Sequence, residues 1–149
     1  MLITKATKKE KEEAATVAAS LADWFSDEGL KNMRIDFDLN NLIVAKENGR
    51  VVGFLCYSSY SGKMLLMWMG VLASVQRKGV GQRLLQWLEA EGRALGCYAI
   101  EVETLPDEDE YEPYQLTRSF YYKNGFERVF YKEARAKGWD DQIVLEKKL

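Results

Sequence analysis

The chain has 149 residues, 47% of them hydrophobic and 30% charged, which is the length and composition of one soluble globular domain spanning residues 1–149. Its formal net charge of −2 provides no excess of positive charge, so we expect neither nucleic acid nor a membrane as a partner. The absence of histidine excludes Ser-His-Asp triads, Cys-His dyads and His-ligated zinc. Acid and base chemistry must therefore come from Tyr, carboxylates, Lys or Cys, and we expect no metal.

The two cysteines and the N-terminus predict a cytoplasmic protein. Cys56 and Cys97 each lie in a strongly apolar stretch, which indicates two reduced and buried thiols. The first residues are too few and too soon charged for a signal peptide. No apolar run approaches the length of about 18 residues that a membrane span needs.

The first half of the chain predicts a strand, a helix, a shorter helical segment and a hairpin. The strand covers residues 2–6 and the shorter helical segment residues 27–37. Strands at 42–46 and 51–60 flank Asn48-Gly49, a pair that tolerates positive φ in a tight turn. The first helix is predicted from apolar residues at three- and four-residue spacing, namely Ala14, Val17, Ala18, Leu21, Trp24 and Phe25.

The second half begins with residues 64–72, a run apolar on both faces that predicts a central, fully covered strand. A helix over 79–95 follows, which Gly96 ends. The remaining elements are a strand at 97–104, an acidic loop at 107–110, a helix at 114–124 and strands at 126–132 and 142–147. This order predicts an α/β fold with a central mixed sheet of about seven strands and helices on both faces.

The turn before the helix at 79–95 has the composition of a phosphate-binding site. Gly79 and Gly81 remove two Cβ atoms where the first helical turn begins, so an anion can approach free backbone N–H groups at the positive end of the helix dipole. Arg77 and Lys78 add mobile positive charge. The run lacks the Gly-Lys-Ser/Thr of a Walker loop, and Leu84 stands where a dinucleotide fingerprint needs a small residue. Alternatively, the glycines only shape a tight loop.

Two motifs in this chain resemble those of the GNAT acetyltransferase superfamily. Gln76-x-x-Gly79-x-Gly81 matches the family signature Gln/Arg-x-x-Gly-x-Gly/Ala and is preceded by an apolar strand. Downstream, Phe120-Tyr121-Tyr122-Lys123-Asn124-Gly125-Phe126 resembles the family's helix-to-strand segment, aromatic-Tyr-x-Lys-x-Gly-Phe. The order of elements is similar over nearly the whole chain.

The resemblance implies that acetyl-coenzyme A lies between two parallel strands that splay apart, here the strand ending near Val71 and the strand at 97–104. Gly70 is the residue we expect at the bulge that opens them. Pantetheine would pair with the backbone like a strand, and a main-chain N–H near residues 69–71 would polarise the thioester carbonyl. The implied coenzyme-binding residues are Met69, Gly70, Val71, Gln76, Arg77, Lys78, Gly79, Val80, Gly81 and Gln82.

The implied activity is N-acetyl transfer from acetyl-coenzyme A to a primary amine by direct attack of the amine on the thioester. Tyr121 occupies the position of the family's general acid, and a phenol can protonate the departing coenzyme A thiolate. On packing grounds alone, Tyr121 would instead be one of several aromatics that hold this helix on the sheet.

Two features depart from the family pattern. Tyr114 and Thr117 replace an Asn and an Ala that the family often has there, which puts their contacts to pantetheine in doubt. The central strand carries no carboxylate, so we take Glu103 as the candidate general base, with Glu101 on the same strand as an alternative. Both could equally be surface or salt-bridged acids.

The acceptor is predicted only by class, as a small-molecule or peptide amine. Asp36, Asp38 and the acidic run 107–112 could attract a cationic amine, or could form a solvated surface. Four aromatic residues could line the acceptor pocket, or pack in the core or at a dimer surface: Trp24, Tyr57, Tyr60 and Trp68.

Two other functions are consistent with the sequence. The chain could be a non-catalytic sensor that binds acyl-coenzyme A without turnover, which the missing carboxylate on the central strand permits. It could also be a structural protein whose hairpins form a homodimer surface, the glycines then serving only to shape loops.

Overall fold

A mixed sheet of seven strands forms the centre of the protein, and the computed structural model describes all residues from 1 to 149. The strands are β1 (Leu2–Lys5), β2 (Asn41–Glu47), β3 (Arg50–Tyr60), β4 (Lys63–Val71), β5 (Ala99–Thr104), β6 (Glu127–Lys132) and β7 (Gln142–Lys148). The α-helices are α1 (Lys8–Ala19), α2 (Asp27–Leu39), α3 (Val80–Leu95) and α4 (Glu112–Lys123). The strand order is β1-β2-β3-β4-β5-β7-β6, and only β4 and β5 run parallel.

Helices cover both faces of this sheet and create two apolar cores. One core lies against α3 and α4 and contains Leu84, Leu88 and Tyr121. The other lies against α1 and α2 and contains Ala14 and Phe37. None of the helices is both long and apolar enough to cross a membrane. The predicted α/β fold, with seven strands in a mixed sheet and helices on both faces, is confirmed.

Two of the predicted chain reversals are made by residues with positive φ. Asn48 and Gly49, at 50° and 76°, close the hairpin between β2 and β3. Gly96, at 81°, ends α3 and donates its backbone N–H to the carbonyl of Arg93. The predicted hairpin and helix end are therefore confirmed.

The first helix is shorter than its apolar spacing predicts. It ends at Ala19, and the side chain of Ser20 donates to the carbonyl of Val17 while the backbone N–H of Leu21 donates to Ala18. These short-range bonds turn the chain out of the helix. Residues 20–26, which we call the α1–α2 loop, continue the apolar pattern without helical structure until Ser26 caps α2.

Strands β4 and β5 separate part-way along their length. Their parallel pairing ends at Leu66 opposite Val102. On the other side of β4, the antiparallel pairing with β3 shifts register so that Met67 is an extra residue. The bulge is therefore at Met67, and the prediction that Gly70 forms it is wrong. The prediction that β4 is fully covered is also wrong, because Met67, Trp68 and Met69 are only half-buried beside the gap.

Gly70 is required for packing. It pairs regularly with Phe54 on β3, and a Cβ atom at Gly70 would lie 2.7 Å from the Phe54 ring and 3.0 Å from Leu21. Both neighbours are buried in the core beside α1 and α2. Glycine therefore lets the Phe54 ring lie directly on the β4 backbone.

A Gly70→Ala substitution should lower the free energy of unfolding by about 1–3 kcal/mol, because the new methyl group overlaps the Phe54 ring. Chemical denaturation measures the change. Adding Phe54→Leu to Gly70→Ala should cost less than Phe54→Leu costs in the native background, since the smaller side chain removes the overlap. Strictly additive effects would show that Phe54 is not what the methyl group meets.

Candidate functional site

An open cleft of about 740 Å³ lies between the C-terminal part of β4, the start of α3 and one side of α4. The residues that the sequence predicts to bind a coenzyme come together here, and those lining the cleft are Met69, Gly70, Val71, Gln76, Arg77, Gly79, Val80, Gly81 and Gln82. Tyr121 lines the same cleft from α4. Lys78 is exposed and does not line it.

The edge of β4 that faces the cleft carries backbone groups without strand partners. The N–H of Leu72 donates to the carbonyl of Val52 at 2.8 Å, so alternation along the antiparallel ladder turns the N–H groups of Met69 and Val71 away from β3. They face the gap where β5 no longer pairs. An extended ligand could therefore pair with this edge as a strand would.

The turn into α3 presents a run of free backbone donors. Arg77 and Gly79 have φ values of 62° and 83°, and α3 begins at Val80. The first N–H to find an acceptor is that of Arg83, which donates to the carbonyl of Gly79 at 3.0 Å, so the six N–H groups of residues 77–82 have no acceptor within the chain. Such a run at the positive end of a helix dipole is suited to an anion.

Gln76 orders this turn. Its side-chain Nε2 donates to the carbonyl of Val71 at 2.9 Å, which joins the turn to the end of β4. The family resemblance implies Gln76 only as one of the coenzyme-binding residues. The side chain instead holds the free N–H groups and the free strand edge in a fixed relation to each other.

Tyr121 is buried at the side of the cleft. Its ring packs edge-on against Phe120 and Phe126, with centroids 5.5 Å and 5.2 Å away. Burial alone raises the pKa of Tyr121 above its usual range, with no charged group contributing. The phenol is protonated at neutral pH and can donate a hydrogen bond. The packing interpretation and the cleft position both apply to this residue.

Glu103 does not line the cleft. Its Oε1 lies 2.7 Å from Nζ of Lys132, and the carboxylate side chain is 43% exposed. Glu101 likewise forms an ion pair, with Lys63 at 3.3 Å. The structure therefore places both candidate bases in ion pairs on β5, and neither lines the cleft.

Two of the four carboxylates in the acidic loop at 107–110, those of Asp107 and Glu108, form ion pairs. Asp107 accepts from Tyr122 and from Arg128, and Glu108 also accepts from Arg128. Arg118, only 4% exposed, donates to the carbonyls of Leu105 and Asp109. These contacts fix the loop to α4 and β6, so its charge serves first to hold the structure together.

Neither cysteine lines the cleft. Cys56 is fully buried, and burial raises the pKa of its thiol to about 12, so the reactive thiolate is not formed at neutral pH. Cys97 is half-buried and, like Cys56, free. The expectation of reduced thiols agrees with this arrangement, although Cys97 is less buried than expected.

The α1–α2 loop contributes residues to the cleft, among them Trp24, one of the four aromatic residues that the sequence offered for the acceptor pocket. Trp24 lines the cleft, and its Nε1 donates to the carbonyl of Pro113 at 3.1 Å and to Oγ1 of Thr117 at 3.2 Å. Tyr114 donates its hydroxyl to the carbonyl of Trp24 at 2.7 Å. The loop is therefore tied to α4 through Tyr114 and Thr117, the two positions that depart from the family pattern.

The family profile of the acetyltransferase (GNAT) domain matches residues 38–128, more than half of the chain. The chain belongs to the GNAT acetyltransferase family. The match spans the turn with the free N–H groups and the α4 segment that carries Tyr121. The resemblance seen in the sequence is therefore confirmed, while no curated protein sequence gives a significant match.

Solved structures agree in fold over nearly the whole GNAT chain. An acetyltransferase of the GNAT family from Desulfovibrio desulfuricans superposes with a TM-score of 0.86 at 21% identity, covering 99% of this chain and 98% of the other. The ribosomal-protein-S18-alanine N-acetyltransferase from Escherichia coli gives 0.77 at 17%, covering 99% and 92%. PaiA N-acetyltransferase from Thermoplasma acidophilum, in complex with coenzyme A, gives 0.73 at 20%, covering 99% and 98%.

The two glycines of the turn should respond differently to alanine. Gly79→Ala should lower the free energy of unfolding by about 1–2 kcal/mol, because its φ of 83° strains any side chain although no atom lies within 4 Å of the new Cβ. Gly81→Ala meets only ordinary contacts at 3.5 Å and should raise stability by up to about 1 kcal/mol. Urea denaturation measures both. If both variants lost the same free energy of unfolding, Gly81 would also be required for the stability of the fold.

Proposed function

We propose that the protein is an acetyl-coenzyme A-dependent N-acetyltransferase that modifies a primary amine by direct attack on the thioester. The observation that carries the proposal is the run of six free backbone N–H groups at residues 77–82, which adjoins the unpaired edge of β4. A ligand that joins a pyrophosphate to an extended amide chain complements both features. Membership in the GNAT family supports this choice of ligand.

The coenzyme would be held mainly by backbone groups. Its pyrophosphate would accept from the N–H groups of residues 77–82, with charge from Arg77 and Lys123, the two basic residues that line the cleft. The amides of pantetheine would pair with the free groups of Met69 and Val71. Because Gln76 fixes the turn to β4, these two sets of contacts are positioned together.

The reaction requires a donor for the carbonyl oxygen and one for the leaving sulfur. A free N–H on β4, at Met69 or Val71, would stabilise the developing oxyanion, an interaction typically worth about 2.7–4 kcal/mol. The amine nitrogen would form the new bond to the acyl carbon, and the carbon–sulfur bond would then break with its electron pair leaving on sulfur. The proton that the nitrogen must lose would pass to water, since no Asp or Glu lines the cleft. Tyr121, whose phenol is protonated at neutral pH, would donate a hydrogen bond to that thiolate.

The proposed mechanism has no protein carboxylate acting as base inside the cleft. No Asp or Glu lines it, and Glu103 is paired with Lys132. The amine would therefore attack as the free base. The same absence favours a second candidate function, an acyl-coenzyme A-binding protein without turnover.

Measurement of thiol release separates these two functions. The protein is incubated with acetyl-coenzyme A and a panel of polyamines, aminoglycosides and peptide amines, and free coenzyme A is detected with a thiol reagent. An acetyltransferase releases thiol with at least one amine. Saturable binding of acetyl-coenzyme A with no release from any amine would instead support the sensor.

Gly81→Val should weaken binding of coenzyme A by about tenfold or more, because the branched side chain stands before the free N–H groups that hold the pyrophosphate. Gly81→Ala, which adds only a methyl group, is the matched control and should lose less. Arg77 is exposed, so Arg77→Ala should cost less and only at low salt. Titration calorimetry at two salt concentrations measures all three, and equal small losses would contradict a backbone-held pyrophosphate.

Tyr121→Phe should lower kcat by about 100-fold or more and leave the dissociation constant of coenzyme A nearly unchanged, because it removes only the hydrogen-bond donor. Tyr122→Phe is the control, since the Tyr122 hydroxyl donates to Asp107 and does not line the cleft. Steady-state kinetics with the accepted amine measure both variants. Similar kcat values for the two would assign Tyr121 to packing alone.

A further inference from the structure

The α1–α2 loop closes one end of the cleft by joining its two walls. Leu21 packs against β4 at Gly70, with its Cδ1 3.0 Å from the position that a side chain there would occupy. The ring of Phe25 meets that of Trp68, also on β4, at a centroid distance of 6.0 Å. Trp24, which lies between them in sequence, reaches across the gap to α4. The loop therefore spans from β4 to α4.

The two ends of the cleft differ in chemistry. The end at the start of α3 carries the free N–H groups of residues 77–82, with Arg77 and Lys123 as the charged residues that line the cleft. At the loop end the lining side chains of the loop itself are Leu21, Trp24 and Phe25, all of them apolar or aromatic, and the hydroxyl of Thr117, which lines the cleft from α4, is engaged by the Trp24 indole N–H. A ligand with an anion at one end and an apolar group at the other fits this polarity.

We propose that Trp24 sets the length of the acyl group that the protein accepts and restricts it to short acyl chains. This inference rests on the proposed function. With the pyrophosphate at residues 77–82 and pantetheine along β4, the acyl group extends toward the α1–α2 loop. There it meets a rigid indole ring, which must be displaced before a longer chain can enter.

Thr117 and Tyr114 are positioning residues for Trp24. The indole N–H has two acceptors on α4, the carbonyl of Pro113 and the hydroxyl of Thr117, which fix the plane of the ring. The Tyr114 hydroxyl binds the Trp24 carbonyl and fixes the backbone at the same residue. Rotation of the ring out of the cleft therefore breaks both contacts of the indole N–H.

Binding of a series of acyl-coenzyme A thioesters tests the proposal without knowledge of the acceptor amine. Titration calorimetry of the full chain is carried out with coenzyme A and its acetyl, butyryl and hexanoyl thioesters. The native protein should bind the hexanoyl thioester about tenfold or more weakly than the acetyl thioester. Trp24→Ala should bind the hexanoyl thioester about tenfold more tightly than native while changing acetyl binding much less, because the vacated space buries the added methylenes.

Two milder variants protect the test against a loss of folding. Thr117→Val removes one acceptor of the indole N–H with little change in volume, and Trp24→Phe retains an aromatic ring without the N–H. Both should reduce the discrimination between acetyl and hexanoyl thioesters, though less than Trp24→Ala. Trp139→Ala is the matched control, since Trp139 is 66% exposed and does not line the cleft, and it should leave the discrimination unchanged.

Each outcome decides between the proposals. If coenzyme A itself fails to bind, the proposed function is overturned, and this inference with it. If coenzyme A binds and the native protein binds acetyl and hexanoyl thioesters equally, the proposed function stands and the length restriction is wrong. If the native protein discriminates but folded Trp24 variants discriminate to the same extent, another residue sets the limit.

Discussion

The separation of β4 from β5 is the constraint on which the site depends. Up to Leu66 and Val102 the two strands are hydrogen-bonded to each other. Beyond that point β4 is paired only with β3, and β5 is paired only with β7. The extra residue Met67 shifts by one residue which backbone groups of β4 point toward β3. As a result the N–H groups of Met69 and Val71 point into the gap. Strand β4 lies in the interior of the sheet, yet this part of it has an unpaired edge. Only water or a strand-like ligand can form hydrogen bonds with the backbone groups there.

The cleft gains its polarity from the elements that meet there. Backbone donors at the start of α3 form one end, and an apolar loop forms the other. The charged side chains that line the cleft are Arg77 and Lys123, with no Asp or Glu among them, and Asp107 and Glu108 of the acidic loop are paired with Arg118 and Arg128. An acidic protein therefore offers a locally positive, backbone-built surface, which overall composition alone does not reveal.

Local signals in the sequence predicted much of this arrangement. Gly79 and Gly81 identify the turn from the sequence because the torsion angles and the bulk that a residue allows depend on that residue alone. Both glycines lie where expected. The hairpin at Asn48-Gly49 and the helix end at Gly96 follow from the same torsional preferences. The periodicity of apolar residues predicted the strands and helices, and the spacing of two motifs predicted the family.

Contacts between distant segments decided the rest. The spacing of apolar residues alone predicts that the first helix extends to Phe25. In the structure this segment is a loop, held by hydrogen bonds from Trp24 to residues about ninety positions away. Glu103 is a candidate base because it lies on β5, next to the strand that borders the cleft. The direction of its side chain, however, depends on the register between β5 and β7 and on the ion pair with Lys132. The sequence by itself determined the order of the elements, the family and the glycine-containing turn before α3, since those depend on neighbouring residues. Only the tertiary structure decided where the strands part, which side chains enter the cleft and what closes its end, since those depend on register and packing between segments far apart in the chain.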